Sequence, residues 1–383
     1  MIKGSFPIEE FAKLKTPFYY YDMRLLQNTL QSISSETEDK NYHVHYALKA
    51  NSNKEILKEI SKYGFGADCV SGNEILRALD CGFAPEKIVF AGVGKTEEEI
   101  EIALHHNIFC FNVESIPEIE LIAELSQKHN RVANIAFRIN PNVDAHTHEY
   151  ITTGLSENKF GLNDKDVPNA LDLTKNNPHL NLIGIHFHIG SQITDLTAFE
   201  NLCIKAREWQ DWFSDKGIKL QTINVGGGLG INYQHPNHCP IADFSSYLNV
   251  FNKYLQLDES QDLHFELGRS IVGPCGSLIS RVNFVKQGIN KNFLILDAGM
   301  TELIRPALYK AYHHIENLSS EKDLKKYDIV GPVCESSDTF AENRFINEAE
   351  RGDFIAIRSA GAYGEIMSSR YNLRDFPKAY YSF

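Results

Sequence analysis

The 383-residue sequence has no apolar run approaching the length of a membrane-spanning helix, and its opening MIKGSFPIEE does not read as a signal peptide. It is short of positive charge, with 38 Lys and Arg against 50 Asp and Glu, a formal net charge of -12. That balance argues against nucleic acid or an anionic membrane surface as the main partner. The seven cysteines (69, 81, 110, 203, 239, 275 and 334) are odd in number, scattered, and without a CxxC pair. Free thiols in a reducing cytoplasm are the expectation. Internal repeats and low-complexity linkers are also missing. What is present, 43% hydrophobic and 23% charged residues, suits a soluble globular chain long enough for one large core plus a smaller domain.

The apolar segments recur with a regular rhythm. Strand-like runs lie near 43–48, 65–70, 87–92, 108–113, 133–139, 182–188, 221–226 and 263–267, separated by amphipathic stretches. Ser71-x-x-Glu74, Thr96-x-x-Glu99 and Ser115-x-x-Glu118 read as capping boxes, and Gly82 as a glycine just past a helix end. Eight strand–helix units predict an α/β fold, a closed (β/α)8 barrel rather than an open sheet. One interval breaks the rhythm. Asn140–Asn158 is polar and turn-rich before a helix near Val167–Thr174, and is expected to be an insertion at the barrel mouth.

After Arg269 the pattern changes to strands at Ser270–Lys286, Asn292–Ala298, Tyr327–Pro332 and Gly352–Ser359, with one helix around Leu303–His313. The division expected is an N-terminal segment 1–22 joining a β domain, a barrel over 23–270, and a C-terminal β domain over 271–383. The aromatic stretch Pro17–Asp22 is the strand that would join it.

Functional groups in such barrels come from the C-terminal ends of the strands. Taken in order, those ends carry Lys49, Asp68, Gly92–Gly94, Glu114, Arg138, His188 with Ser191, Gly226–Gly228, and Glu266 with Gly268 and Arg269. Lys49, in YHVHYALKANSN, either snorkels to solvent or is held partly desolvated as an amine nucleophile. Gly226–Gly228 is either a simple turn or a place where backbone N–H groups approach an anion, and the loops after strands seven and eight are where barrels commonly bind phosphate. An imine-forming lysine, a phosphate cradle and a buried carboxylate together suggest pyridoxal phosphate, with Lys49 on the cofactor's aldehyde and Glu266 on the pyridine nitrogen. His188 could lie against the ring or be a hydrogen-bonded core histidine. His235, His238 and Cys239 lack a matching second cluster, so no metal site is expected. His105, His106, His313 and His314 are expected to be solvated or capping residues.

The segments HYALKANSN, FRINPN, HFHIGSQI, VGGGLGINY, ELGRSIVG, DAGMTELIRPALYKAYH, GPVCESSD and GAYGEIMSSRYN, in this order, resemble the diaminopimelate decarboxylase family over nearly the whole chain. That family belongs to the alanine-racemase-like (fold type III) pyridoxal-phosphate enzymes. The resemblance implies a barrel followed by a β domain, a homodimer, and decarboxylation of meso-diaminopimelate to L-lysine, with an amino acid as substrate. It implies that Lys49 bonds the cofactor, His188 stacks on it and Glu266 meets its ring nitrogen. Ser191, Gly227, Gly228, Gly268 and Arg269 would lie around the phosphate end, with Asp68 and Arg138 near the ring. Arg269, Arg305 and Tyr309 would hold the distal part of the substrate, and Tyr363 would touch cofactor or substrate. Cys334, as proton donor, and Glu335 would reach in from the partner subunit.

The chemistry of the substrate suits these residue types. A second amino acid head needs a group for a remote carboxylate, such as Arg305, and one for a remote ammonium, such as Glu335. On its own, Arg305 also reads as a surface residue of an amphipathic helix, and Cys334 as a free thiol. Leu267 and Ser337 depart from the family pattern without removing a functional side chain. The alternatives are a related decarboxylase acting on carboxynorspermidine, ornithine or arginine, a non-catalytic binding homologue, and a Schiff-base aldolase.

Overall fold

The structure, a computed structural model, describes residues 6–142 and 159–382. The expected insertion over Asn140–Asn158 therefore lies mostly outside the described residues. The chain divides into two compact units. One comprises Leu30–Gly230 and Asp243–Gly268; the other comprises Met1–Thr29, Ile231–Ala242 and Arg269–Phe383. Sequence order does not suggest that the short stretch Ile231–Ala242 groups with the chain's two ends.

The first strand, β1 (Phe18–Tyr21), belongs to the second unit. The first unit is a closed barrel of eight parallel strands. These are β2 (Tyr42–Ala47), β3 (Gly66–Cys69), β4 (Ile88–Phe90), β5 (Cys110–Val113), β6 (Ala133–Arg138), β7 (Leu180–His186), β8 (Thr222–Asn224) and β9 (Asp262–Leu267). Most of their residues are buried, because helices cover the outside and side chains fill the inside. The barrel closes where β2 pairs with β9, placing His43 opposite His264.

Helix starts are set by side-chain caps. Ser71, Thr96 and Ser115 each accept a hydrogen bond from the backbone N–H three residues on. Only Thr96 forms the reciprocal box. Glu74 and Glu118 reach one residue further back, to the N–H groups of Val70 and Glu114, and so brace the strand-to-helix turns instead. Gly82 ends its helix at φ 93°, a conformation that a Cβ disfavours.

The second unit is built on a mixed sheet. Its strands are β10 (Gly276–Gln287), β11 (Asn292–Leu296), β12 (Ile315–Asn317), β13 (Leu324–Val330), β14 (Thr339–Asn347), β15 (Phe354–Ile357) and β16 (Lys378–Tyr381). They run in the order β12-β15-β10-β11-β13-β14, while β1 pairs antiparallel with β10 and parallel with β16. Phe11, Phe18 and Tyr20 pack with Ile279 and Phe354 to anchor β1. Two expectations need correction here. Residues Arg269–Val272 are helical, so the strand begins only at Gly276. The helix expected to reach His313 spans Arg305–Tyr309.

Candidate active site

The centre of the barrel is polar although the strands around it are apolar. Asn112 on β5 and Asn224 on β8 donate to one oxygen of Glu266 at 2.9 and 2.8 Å, and His186 on β7 meets the other at 3.0 Å. Since β5 and β9 are not neighbours, the Asn112 bond crosses the barrel interior. Burial by itself would raise the Glu266 carboxyl, but its contacts with His186, and then the charge of Lys49, hold it well below the usual carboxylate range. A carboxylate offers about four lone-pair sites, so three donors leave room for one more.

Lys49 sits on the short turn Leu48–Ala50 that follows β2 directly, which projects its side chain at the strand's C-terminal end. Its Nζ donates to Asp68 Oδ2 at 3.1 Å. Burial, and then the charge of Glu266, push the Asp68 carboxyl upward, with Lys49 partly offsetting them. The other oxygen, Asp68 Oδ1, is buried without a hydrogen-bond partner. Such an atom is costly unless something enters to satisfy it.

His188 follows β7, and its Nδ1 accepts from the Gly227 N–H at 3.3 Å. Burial first, then the charges of Lys49 and Arg138, drive its pKa well below the usual value, so the ring is neutral. Arg138, last in β6, is held by Glu114 at 3.0 Å. Glu114 also takes the N–H groups of Gly92 and Gly161, and so positions three segments at once.

The triple glycine is required by close approach. A Cβ on Gly227 would lie 2.0 Å from the Glu266 carbonyl oxygen, and one on Gly226 2.4 Å from that of Phe187. Gly228 has φ 108° and passes the Gly190 carbonyl. Half-buried Ser191 and tightly packed Gly268 complete the set at the strand ends.

In the sheet unit a second polar cluster forms. Arg269 and Arg305 are both buried, and both donate to the Tyr233 hydroxyl, at 2.6 and 2.8 Å. Burial would raise that phenol, but Arg269 and Arg305 lower it. The Arg269 guanidinium lies 4.9 Å from the Tyr363 ring centre. Arg305 also reaches His313 Nε2 at 3.4 Å, and His313 Nδ1 meets the Arg358 carbonyl at 2.9 Å. Arg305 is therefore not a surface residue. His313 is not solvated either: it is 1% exposed, because it seats this arginine.

Cys334 and Glu335 are exposed. Their loop is rigidly built nonetheless. Asp338 accepts from the backbone N–H groups of Met300 and Val333, and a Cβ on Gly331 would lie 2.3 Å from its carboxylate. Glu335 takes the Tyr371 hydroxyl at 2.6 Å. Tyr309 is half-buried.

The barrel unit thus gathers Lys49, Asp68, Glu266, His188, Arg138 and the glycines, while the sheet unit gathers Arg269, Arg305 and Tyr363. Sequence reasoning missed Asn112, His186, Asn224 and Tyr233. The first three carry a usable signal: each is a polar residue at or next to the C-terminal end of a barrel strand.

A family model described as "Pyridoxal-dependent decarboxylase, pyridoxal binding domain" matches residues 24–273. The chain is 56% identical to diaminopimelate decarboxylase of Bacteroides thetaiotaomicron over 382 residues, covering 100% of this chain and 99% of that protein. The chain belongs to the diaminopimelate decarboxylase family. It is also 44% identical to the Neisseria meningitidis serogroup B member, over 94% of this chain and 86% of that one. The crystal structure of the Helicobacter pylori enzyme complexed with L-lysine superposes with a TM-score of 0.91 at 40% identity, covering 98% of this chain and 94% of that one. The cofactor is pyridoxal phosphate, and the barrel fits it: the ionised Glu266, the orphan oxygen of Asp68 and the compact glycine turn are all suited to such a guest.

Proposed function

We propose that this chain decarboxylates meso-2,6-diaminopimelate to L-lysine and carbon dioxide, the last step of lysine biosynthesis. The observation that carries the reading is the barrel centre, where Lys49 is paired with buried Asp68 and Glu266 is held ionised. Bound there, pyridoxal phosphate supplies an electron sink for the carbanion left when carboxylate departs.

The chain's own groups have separable tasks. Lys49 would hold the cofactor through Nζ, and Glu266 would take the ring N–H as its fourth hydrogen bond. Asp68 keeps Lys49 in place, and Arg138, itself set by Glu114, would supply fixed positive charge near the bound cofactor. The neutral imidazole of His188 presents a flat, uncharged face. Ser191, Gly227, Gly228 and Gly268 would admit the phosphate to the backbone at the strand ends, with Arg269 balancing its charge.

For the substrate, Arg269, Arg305 and Tyr309 would hold the remote carboxylate, and Glu335 the remote ammonium. Tyr363, stacked with Arg269, would border cofactor or substrate. Two buried guanidiniums on one tyrosyl oxygen leave net positive charge for an anion to meet.

Cys334 would deliver the proton that replaces the lost carboxylate. It is exposed on a braced loop, as is Glu335. That exposure supports a homodimer in which these two residues serve the partner's site. Among the described residues no helix is long and apolar enough to cross a membrane. All seven cysteines are free, which supports a cytoplasmic location.

The test is carbon dioxide release with pyridoxal phosphate and meso-diaminopimelate, run beside ornithine, arginine and carboxynorspermidine. Lysine should form from diaminopimelate alone. Equal or faster release from another substrate would replace this assignment.

A further inference from the structure

At the N-terminal ends of the barrel strands, opposite the end that carries Lys49, a cleft of about 590 Å³ opens. Its walls include His43, His45, Phe109, Asp262 and His264. His43 comes from β2 and Asp262 and His264 from β9, the two strands whose pairing closes the barrel. One ligand atom from each of His43, Asp262 and His264 lies within 4.8 Å of the others.

The His43 Nε2 to Asp262 Oδ2 distance is 3.7 Å. That is too long for a hydrogen bond. It is close to the separation of two ligands on a tetrahedral ion, about 3.4 Å when each bond is roughly 2.0–2.1 Å. Both side chains are about half exposed, at 50% and 44%, so they can rotate the remaining fraction of an ångström.

The third ligand is fixed by its surroundings. His45 Nδ1 meets the Lys87 carbonyl at 3.0 Å, and a carbonyl only accepts, so that nitrogen carries a hydrogen. His45 Nε2 meets His264 Nδ1 at 2.8 Å. With its Nδ1 donating to Lys87, His45 accepts through Nε2 from His264 Nδ1, which leaves His264 Nε2 as the nitrogen turned to a ligand. That atom is buried and has no hydrogen-bond partner. The relay is built into the backbone: a Cβ on Gly66 would lie 2.3 Å from both His45 Nδ1 and the Lys87 oxygen. Phe109 lies nearly parallel to the His264 ring, 5.3 Å between centres and 11° between planes.

We propose that His43, Asp262 and His264 form a binding site for a divalent transition-metal ion of the zinc class. Two imidazoles and one carboxylate suit such an ion better than magnesium or calcium, which take oxygen ligands. Water from the cleft completes the fourth position. The His264–His45–Lys87 chain is the outer support that metal-bound histidines commonly have. Because the ligands come from the first and last barrel strands, the ion clips the closure seam. Its role is structural, and it does not rest on the decarboxylase reading.

The test uses the full chain stripped with a chelator and then titrated with zinc chloride by calorimetry. The principal variants are His43→Ala and Asp262→Asn, whose half-exposed side chains leave no buried cavity when changed. One zinc per chain is expected in the unaltered protein. Affinity should fall by about 100-fold or more in each variant, beyond the 10–100-fold typical of outer-shell changes. Zinc should also raise the melting temperature of the unaltered protein and leave that of the variants in place. With cobalt as the probe, a tetrahedral visible band should form and be lost in the same two variants. The proposal is overturned if the unaltered protein binds no zinc, or binds it no more tightly than the variants do.

Discussion

Tyr233 and Arg305 are joined by a 2.8 Å hydrogen bond in which the guanidinium donates to the phenolic oxygen. Arg269 donates to the same oxygen. Replacing Tyr233 by Phe leaves two buried cations without their common acceptor. Tyr233→Phe should therefore destabilise the protein by about 2–4 kcal/mol, measured by urea unfolding. Arg305→Met should instead weaken apparent substrate affinity by roughly 1.5–3 kcal/mol, the worth of a charge-assisted contact, and leave cofactor absorbance intact. An unchanged KM in Arg305→Met would remove Arg305 from the substrate site.

Lys49→Ala should abolish the visible absorbance of the cofactor–lysine linkage together with turnover. Asp68 then loses the charge that offsets its burial, and can respond by taking a proton. Stability should consequently change little. A variant with the unaltered spectrum and normal turnover would dismiss the lysine assignment.

Lys49→Ala and Cys334→Ala chains can be mixed under conditions that exchange subunits. If each site takes Lys49 from one chain and Cys334 from its partner, a mixed dimer holds one intact site and one doubly defective site. Activity should rise clearly above that of either parent. With exchange demonstrated and no rise, both residues act within one chain.

His313 makes stability depend on pH. Burial, followed by the charge of Arg305, lowers its pKa from 6.5 to about 3 in the folded chain. Between those values the unfolded chain binds more protons, so stability declines as the solution is acidified. The loss amounts to about 2 kcal/mol by pH 5, from a factor of 1.36 kcal/mol per unit. The melting temperature should fall from pH 7.5 to pH 5, and less steeply in His313→Gln. Parallel curves for the two proteins would exclude His313 as a source.

Much of the barrel was legible because its strands are buried on both faces and read as unbroken apolar runs. The limits of β2 and β9 were legible to within one residue at either end. β14 was not: TFAENRFIN alternates buried and exposed positions irregularly, and its charges disguise it. Two of the three capping boxes resolved into single caps, since a glutamate three residues on can equally brace the residue before the cap. The positions of Lys49, Glu266 and the glycines followed from counting strand ends. The partners of Glu266 did not, because Asn112 and Glu266 meet only through the closed barrel. The cluster of His43, Asp262 and His264 was invisible for the same reason: its members become neighbours only when the last strand finds the first.

The pairing of β1 with β10 and β16 sets an order of assembly. During synthesis the segment 30–268 can complete its barrel while β1, made first, still lacks both neighbours. At ordinary elongation rates that wait is on the order of tens of seconds. Protease probing of ribosome-bound chains halted beyond residue 268 should find the barrel protected and Phe18–Tyr21 still open to cleavage; early protection of that stretch would reject this order. In the finished protein all four residues of β1 are buried. Through most of translation they form an unpaired aromatic strand, a template for pairing with the wrong chain. The site where the newborn polypeptide most needs shelter by a chaperone is thus its first strand.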